Sequence, residues 1–81
     1  MDLFEAKKIT IPRLTPVKSS NVAKIGYNPK EKQLFIQFRN RAIYVYFGVD
    51  MDTWRLFSVS PSYGKAVWSM IRDVYDYMRL K

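Results

Sequence analysis

The chain has 81 residues, of which 48% are hydrophobic and 16% aromatic, and this length and composition predict a single folded domain with a modest core. It contains no cysteine and no histidine, which excludes disulfides, thiolate nucleophiles and the usual zinc ligands. The formal net charge of +7, from 14 Lys and Arg against 7 Asp and Glu, favours a polyanion or an acidic protein surface as the partner.

The acidic residues are scattered and form neither a paired-carboxylate motif nor a calcium-binding loop. The sequence therefore predicts a non-catalytic protein that uses no metal and no cofactor. The chain begins with MDLFEAKK, which lacks the apolar stretch of a signal peptide, and no segment is long and apolar enough to span a bilayer. A cytoplasmic location is the expectation.

Residues 1–16 are expected to form an irregular N-terminal arm. Pro12 and Pro16 prevent a continuous helix, and the short run KITI predicts at most an extended edge segment. Two arrangements are open. The arm either lies on the domain formed by residues 17–81 or becomes ordered on a partner.

Three runs with the composition of β-strands follow, separated by short turn-like segments: VAKIGY, QLFIQFR and AIYVYF. Short turns cannot connect parallel strands, so these runs predict an antiparallel meander. In the first run, Ala23, Ile25 and Tyr27 share one face. In the second run, alternation places Leu34, Ile36 and Phe38 on one side and Phe35, Gln37 and Arg39 on the other.

The third run raises a question because it is apolar without interruption from Ile43 to Phe47. A sheet that is covered on one side only should alternate apolar and polar residues. The second face of this strand must therefore meet either another part of the chain or a partner.

Two helices are predicted after the sheet. Asp50 is a candidate N-cap for a short helix that ends at SVSPS, and Ser62 is a candidate N-cap for a long one. The long helix should lay an apolar stripe on the meander. We expect Tyr44, Tyr46 and Trp54 in the core with this stripe, which consists of Val67, Trp68, Ile71, Val74, Tyr75 and Met78. The predicted fold class is α+β: a three-stranded antiparallel meander packed by a short and a long C-terminal α-helix.

Four motifs, in this order and spacing, resemble the KTSC domain, a small module named for its occurrence at the C-terminus of some lysyl-tRNA synthetases: VKSSNVAKIGY, LFIQF, IYVYFGV and SPSYGKAVWSMIR. The resemblance covers about residues 17–72. It implies a free-standing bacterial or phage protein, and RNA binding is the suggestion attached to the family. It also implies that Tyr44 and Tyr46 point toward the helices and that Val45 points away. The chain departs from the pattern at Asn40 and Arg41, where glycine is common.

The outer face of the sheet is the first candidate site. Exposed aromatic rings framed by cations suit the stacked bases and phosphates of single-stranded nucleic acid, and an apolar patch suits a protein partner equally well. Alternatively, the arm covers this face, which then forms a second small core. The candidate binding residues are Lys24, Phe35, Arg39, Arg41, Val45 and Phe47.

The start of the second helix is the other candidate. Free amide groups, a partial positive charge and a glycine could bind an anion such as phosphate there, although ordinary capping and turn formation explain the same residues. The spacing of a nucleotide-hydrolysing loop is absent. The candidate anion-binding residues are Ser19, Ser20, Ser62, Gly64 and Lys65.

Taken together, these features predict a small binding module for RNA or single-stranded nucleic acid. The alternative is a protein–protein adaptor, or a phage-encoded inhibitor, that docks on an acidic host protein. The expected location is the bacterial cytoplasm, or the host cytoplasm for a phage protein.

Overall fold

The computed structural model describes residues 9–81, which are built around one antiparallel sheet of five strands. The order of the strands in the sheet follows their order in the chain. The strands are β1 (Thr15–Pro16), β2 (Val22–Asn28), β3 (Gln33–Phe38), β4 (Ile43–Phe47) and β5 (Tyr77–Arg79). Two helices, α1 (Met51–Ser58) and α2 (Tyr63–Ala66), connect β4 to β5, and α2 continues as a π-helical segment, Val67–Ile71. None of the helices within residues 9–81 has the length and apolar character needed to cross a bilayer.

The predicted α+β class is confirmed, and the predicted meander is the central part of the sheet. Its two turns are held by asparagine side chains. Asn28 Oδ1 accepts hydrogen bonds from the backbone N–H groups of Lys30 and Glu31, and Asn40 Oδ1 accepts one from Ala42 at 3.0 Å. The meander is extended by an edge strand on each side, which the three-stranded prediction did not include.

One core lies between the sheet and the helices. Tyr44 and Tyr46 face this helix-side core, as predicted. A β-bulge between Val22 and Lys24 shifts the alternation of β2, so Val22 rather than Ala23 is buried there. The buried members of the helix-side core are Val22, Ile25, Leu34, Ile36, Tyr46, Val49, Phe57, Ala66, Val67 and Ile71.

A second core, which we call the outer core, lies on the opposite face of the sheet. Phe35 and Val45 are fully buried there, and Phe47 is 9% exposed. The predicted exposure of these three side chains is therefore wrong. They are covered from two directions, by the arm residues Ile9 and Leu14 and by the C-terminal residues Met78 and Leu80.

The outer core answers the question raised by the third strand, because β4 is packed on both faces by the chain itself. Of the two arrangements considered for the arm, the structure has the arm on the domain. Residues 1–8 of the predicted arm lie outside the described residues.

The helix caps form as predicted, but the long helix does not. Asp50 Oδ1 accepts from Thr53 N at 2.9 Å, and Ser62 Oγ accepts from Lys65 N at 3.4 Å. The helix ends at Ile71, and Arg72 N closes it with a hydrogen bond of 2.7 Å to the carbonyl oxygen of Val67.

The chain reverses after Ile71 with Asp73 in the left-handed region, at φ 63°, and returns as β5. Two members of the predicted apolar stripe, Trp68 and Val74, are consequently exposed, and Met78 packs in the outer core instead. The pairing of β5 with the open edge of β4 and the partial burial of Met78 and Leu80 together outweigh about two further helical turns.

Candidate nucleic-acid interface

A groove with a volume of about 710 Å³ opens on the helix side of the sheet, and we call it the aromatic groove. One wall is formed by β3, β4 and β5, and the other by α2 and the π-helical segment. The side chains and backbone that line it belong to Asn21, Phe38, Arg39, Asn40, Tyr44, Tyr46, Gly64, Val67, Trp68, Arg72, Asp73 and Tyr77.

The sheet wall carries a cluster of tyrosines. Tyr46 and Tyr77 are opposite each other on β4 and β5, with ring centroids 5.9 Å apart, and Tyr44 lies 5.7 Å from Tyr77. Phe38 meets the ring of Tyr44 edge-on at 5.6 Å. The three tyrosines differ in exposure: Tyr46 is buried, Tyr44 is half-buried and Tyr77 is 61% exposed. The groove therefore has an aromatic floor and one projecting ring.

The helical wall carries a second projecting ring, that of Trp68, which is 64% exposed. The guanidinium carbon of Arg72 lies 4.1 Å from its ring centroid, a cation–π contact that contributes about 0.5–1 kcal/mol at an exposed site. The π-helical segment holds the two residues together, since Trp68 lies within it and Arg72 closes it. Single π-helical turns are frequent at functional sites.

Burial dominates the electrostatics of the floor. It raises the pKa of Tyr46 to about 12, and the neighbouring hydroxyl of Tyr44 adds to the rise, while the positive charge of Arg72 opposes it. Tyr46 is therefore neutral at physiological pH. Arg39 and Arg72 bring positive charge to the groove and Asp73 brings one negative charge.

A second cavity of about 540 Å³, the polar cleft, adjoins the aromatic groove. Asn21, Gly64 and Trp68 line both cavities. All five predicted anion-binding residues also line the polar cleft, together with Lys18: Ser19, Ser20, Ser62, Gly64 and Lys65.

Two of these serines have local structural partners. Ser19 Oγ accepts from the backbone N–H groups of Asn21 and Val22, at 3.3 and 3.1 Å, and Ser62 caps α2. The capping and turn roles considered as the ordinary alternative are thus present. Lys18 and Lys65 are exposed beside them, so the cleft also has two exposed positive charges.

The six predicted binding residues do not come together. Lys24 and Arg41 are exposed, whereas the three apolar members are buried in the outer core. Arg39 was expected on the outer face but lines the aromatic groove, where its Nε donates to the carbonyl oxygen of Ser19 at 3.0 Å and its Nη2 to that of Val17 at 3.2 Å. Arg39 therefore also fixes the loop before β2.

Four residues of the groove were not predicted as site residues from the sequence: Asn21, Trp68, Arg72 and Tyr77. One signal was available, because an aromatic residue and an arginine four positions apart on a helix face lie side by side. Tyr77 carried no such signal, since it was assigned to a helix. Within residues 9–81, no group of three or more acidic side chains could hold a metal ion.

Fold and cavities together define a small α+β domain with a five-stranded antiparallel sheet and an aromatic groove on its helix side. The model of the KTSC domain family matches residues 18–75, and the chain belongs to this family. The chain is similar to the crystal structure of a KTSC domain protein from Yersinia pestis, with a TM-score of 0.82 and 30% sequence identity. That match covers 85% of this chain and 97% of the Yersinia pestis chain. The comparison with curated proteins found no match.

Proposed function

We propose that this protein is a non-catalytic binding module for single-stranded nucleic acid, RNA in the first instance, and that unstacked bases enter the aromatic groove. The observation that carries the proposal is the pair of projecting rings, Trp68 and Tyr77, beside the guanidinium groups of Arg39 and Arg72. Stacking of a base on an aromatic ring contributes about 1–3 kcal/mol. Guanidinium groups neutralise phosphates and stack on bases themselves.

The polar cleft supports the proposal by offering a route for the sugar-phosphate backbone. It adjoins the aromatic groove at Asn21, Gly64 and Trp68, and it carries Lys18 and Lys65. A strand with one base in the groove would place neighbouring phosphates near these lysines. The net charge of +7 acts in the same direction.

This proposal keeps the chemistry expected from the sequence but moves it to the other face of the sheet. The outer face cannot offer Phe35 or Phe47 for stacking because both are buried. A nucleic-acid partner would place the protein in the bacterial cytoplasm, or in the host cytoplasm for a phage-encoded chain.

The first test is a fluorescence-anisotropy titration of a labelled single-stranded RNA oligonucleotide of mixed sequence. Trp68→Ala should weaken binding roughly 5- to 150-fold, the equivalent of about 1–3 kcal/mol. Leu56→Ala is the matched control, because Leu56 is equally exposed, at 64%, but lies on α1 away from both cavities. If the two variants bind the RNA with equal affinity, the aromatic groove is not the binding site.

The second test is the salt dependence of binding. Each phosphate contact on a single strand contributes a slope of about −0.7 to the plot of log affinity against log salt. A variant with both Lys18→Ala and Lys65→Ala should have a slope shallower by about 1.4, or two contacts. A wild-type affinity that does not change with salt, or an absence of binding, would overturn the proposal.

A protein–protein adaptor is the second candidate, and one observation favours it. Leu56 and Val59 are 64% and 76% exposed at the end of α1, and exposed apolar side chains on a chain with a net charge of +7 suit an acidic protein partner. In a pull-down, a bacterial protein that the chain still binds after nuclease treatment, and that Leu56→Ala no longer binds, would support this candidate over the first.

A further inference from the structure

We infer that Asn21 reads base identity at this interface and that it selects adenine, an inference that rests on the proposed binding of single-stranded nucleic acid. Asn21 immediately precedes β2 and is exposed at the junction of the aromatic groove and the polar cleft. Trp68 lines the same junction. Arg72 covers one face of the Trp68 ring, so a base would stack on the other face, and within this junction its edge would be turned toward the side chain of Asn21.

The amide of Asn21 is available for such an edge. The chain has three asparagines, and the Oδ1 atoms of Asn28 and Asn40 are engaged with backbone N–H groups of their own turns. By contrast, the side chain of Asn21 makes no hydrogen bond within residues 9–81. The hydrogen bonds of this residue are made by its backbone N–H and carbonyl groups. Its local structure therefore does not require an amide.

The backbone of Asn21 is held in place while its side chain is unpaired. Its N–H donates to Ser19 Oγ at 3.3 Å, and its carbonyl oxygen accepts from Arg39 N at 2.9 Å. Gly64 makes room for the amide, because a Cβ at this position would lie 3.1 Å from Asn21 Nδ2. A fixed backbone limits the directions in which the side chain can present its amide, as a base-reading group requires.

The chemistry of the amide points to adenine. An amide presents one donor beside one acceptor, and adenine offers the complement on two edges, through N6–H with N7 and through N6–H with N1. On the Watson–Crick edge, guanine, cytosine and uracil also present a donor beside an acceptor. Adenine alone does so on both edges, because the N7 edge of guanine offers two acceptors, O6 and N7. A well-formed bidentate pair discriminates by roughly 5- to 150-fold.

The experiment compares oligoadenylate with an oligonucleotide of purine riboside, which keeps the ring system but lacks the N6 amino group. Both are titrated by fluorescence anisotropy against the full chain. The wild-type protein should bind oligoadenylate roughly 5- to 150-fold more tightly. Asn21→Ala should bind the two oligonucleotides equally, with the affinity that wild type has for purine riboside.

Three further variants make the test specific. Asn21→Asp keeps the size of the side chain but replaces its donor with an acceptor, so it should also lose discrimination. Gly64→Ala should weaken discrimination by displacing the amide. Ser20→Ala is the matched control, since Ser20 is an exposed polar neighbour in the polar cleft, and it should discriminate like wild type.

The outcomes separate this inference from the proposed function. If wild type binds neither oligonucleotide, nor the mixed-sequence RNA, the proposed function fails and the inference fails with it. If wild type binds both equally, or Asn21→Ala and Asn21→Asp retain the preference for adenine, the inference is overturned and the binding function stands.

Discussion

Gly26 occupies the point on β2 where the N-terminal arm crosses the outer face of the sheet. A Cβ built there would lie 2.7 Å from Leu14 Cδ2 and 3.2 Å from the carbonyl oxygen of Arg13. Gly26→Ala should therefore lift the arm and lower the free energy of unfolding by about 1–3 kcal/mol. Urea denaturation measures the change.

A double-mutant cycle identifies the contact responsible. Leu14→Ala removes the atom nearest to the new methyl group, so Gly26→Ala should cost less in that background than in wild type. If the two substitutions are simply additive, the side chain of Leu14 is not what opposes a larger residue at position 26.

Tyr46 gives a pH dependence to the stability. Burial raises its pKa from 10.0 to about 12, so the native state keeps a proton that the unfolded chain loses first. This pKa difference contributes to the free energy of unfolding. The contribution is fully present below pH 10 and is lost as the pH rises from 10 to about 12. Tyr46→Phe, which cannot ionise, should lose less stability over this interval in urea denaturation. If the free energy of unfolding falls equally with pH in wild type and in Tyr46→Phe, ionisation of Tyr46 is not the cause of the loss.

At the scale of the element, β5 shows where local sequence stops being informative. Met78 fits a helical stripe four residues after Val74 and fits a strand two residues before Leu80 equally well. Caps such as Asp50 and Ser62 were predictable because their hydrogen bonds span three residues. The choice between helix and strand at Met78 depends on the open edge of β4 and on the outer core, which are distant in the chain.

Lysine substitutions test the strand assignment. Met78 packs against the outer core, whereas Tyr77 lies on the opposite face, 61% exposed, with its ring beside those of Tyr44 and Tyr46. Met78 is partly buried, so Met78→Lys should lower the free energy of unfolding by about 1–2 kcal/mol, less than the roughly 1.5–3 kcal/mol of a fully buried methionine. Tyr77→Lys should lower it less. The amide of Leu80, which donates to the carbonyl oxygen of Ile43 at 2.8 Å, should lose protection from hydrogen exchange in Met78→Lys alone. Equal effects of the two substitutions would contradict the placement of Tyr77 and Met78 on opposite faces of β5.

At the scale of the whole molecule, one sheet separates two cores in a chain of 81 residues. The unbroken apolar run in β4 predicted that both faces needed cover, and the antiparallel meander followed from its short turns. The sequence alone could not decide what provides that cover, because the arm and β5 are joined to β4 only through tertiary contacts. For the same reason, the interface was expected on the face that proved to be closed.

Two phenylalanines test whether the cores unfold together. Phe35 is fully buried in the outer core and Phe57 is fully buried in the helix-side core. Truncation of a buried phenylalanine to alanine costs about 3–5 kcal/mol, a large part of the roughly 4–12 kcal/mol expected for a domain of this size. Phe35→Ala and Phe57→Ala should therefore both lower the unfolding midpoint strongly.

The shared sheet adds a stricter expectation, since neither core can be lost without exposing the other face of the same strands. Circular dichroism and tryptophan fluorescence should report one coincident transition in each variant. Val74→Ala, at a side chain that is 60% exposed, is the control and should unfold like wild type. If Phe35→Ala instead loosened only the arm and left the tryptophan transition unchanged, the outer core would be an independent layer and its face could still open to a partner.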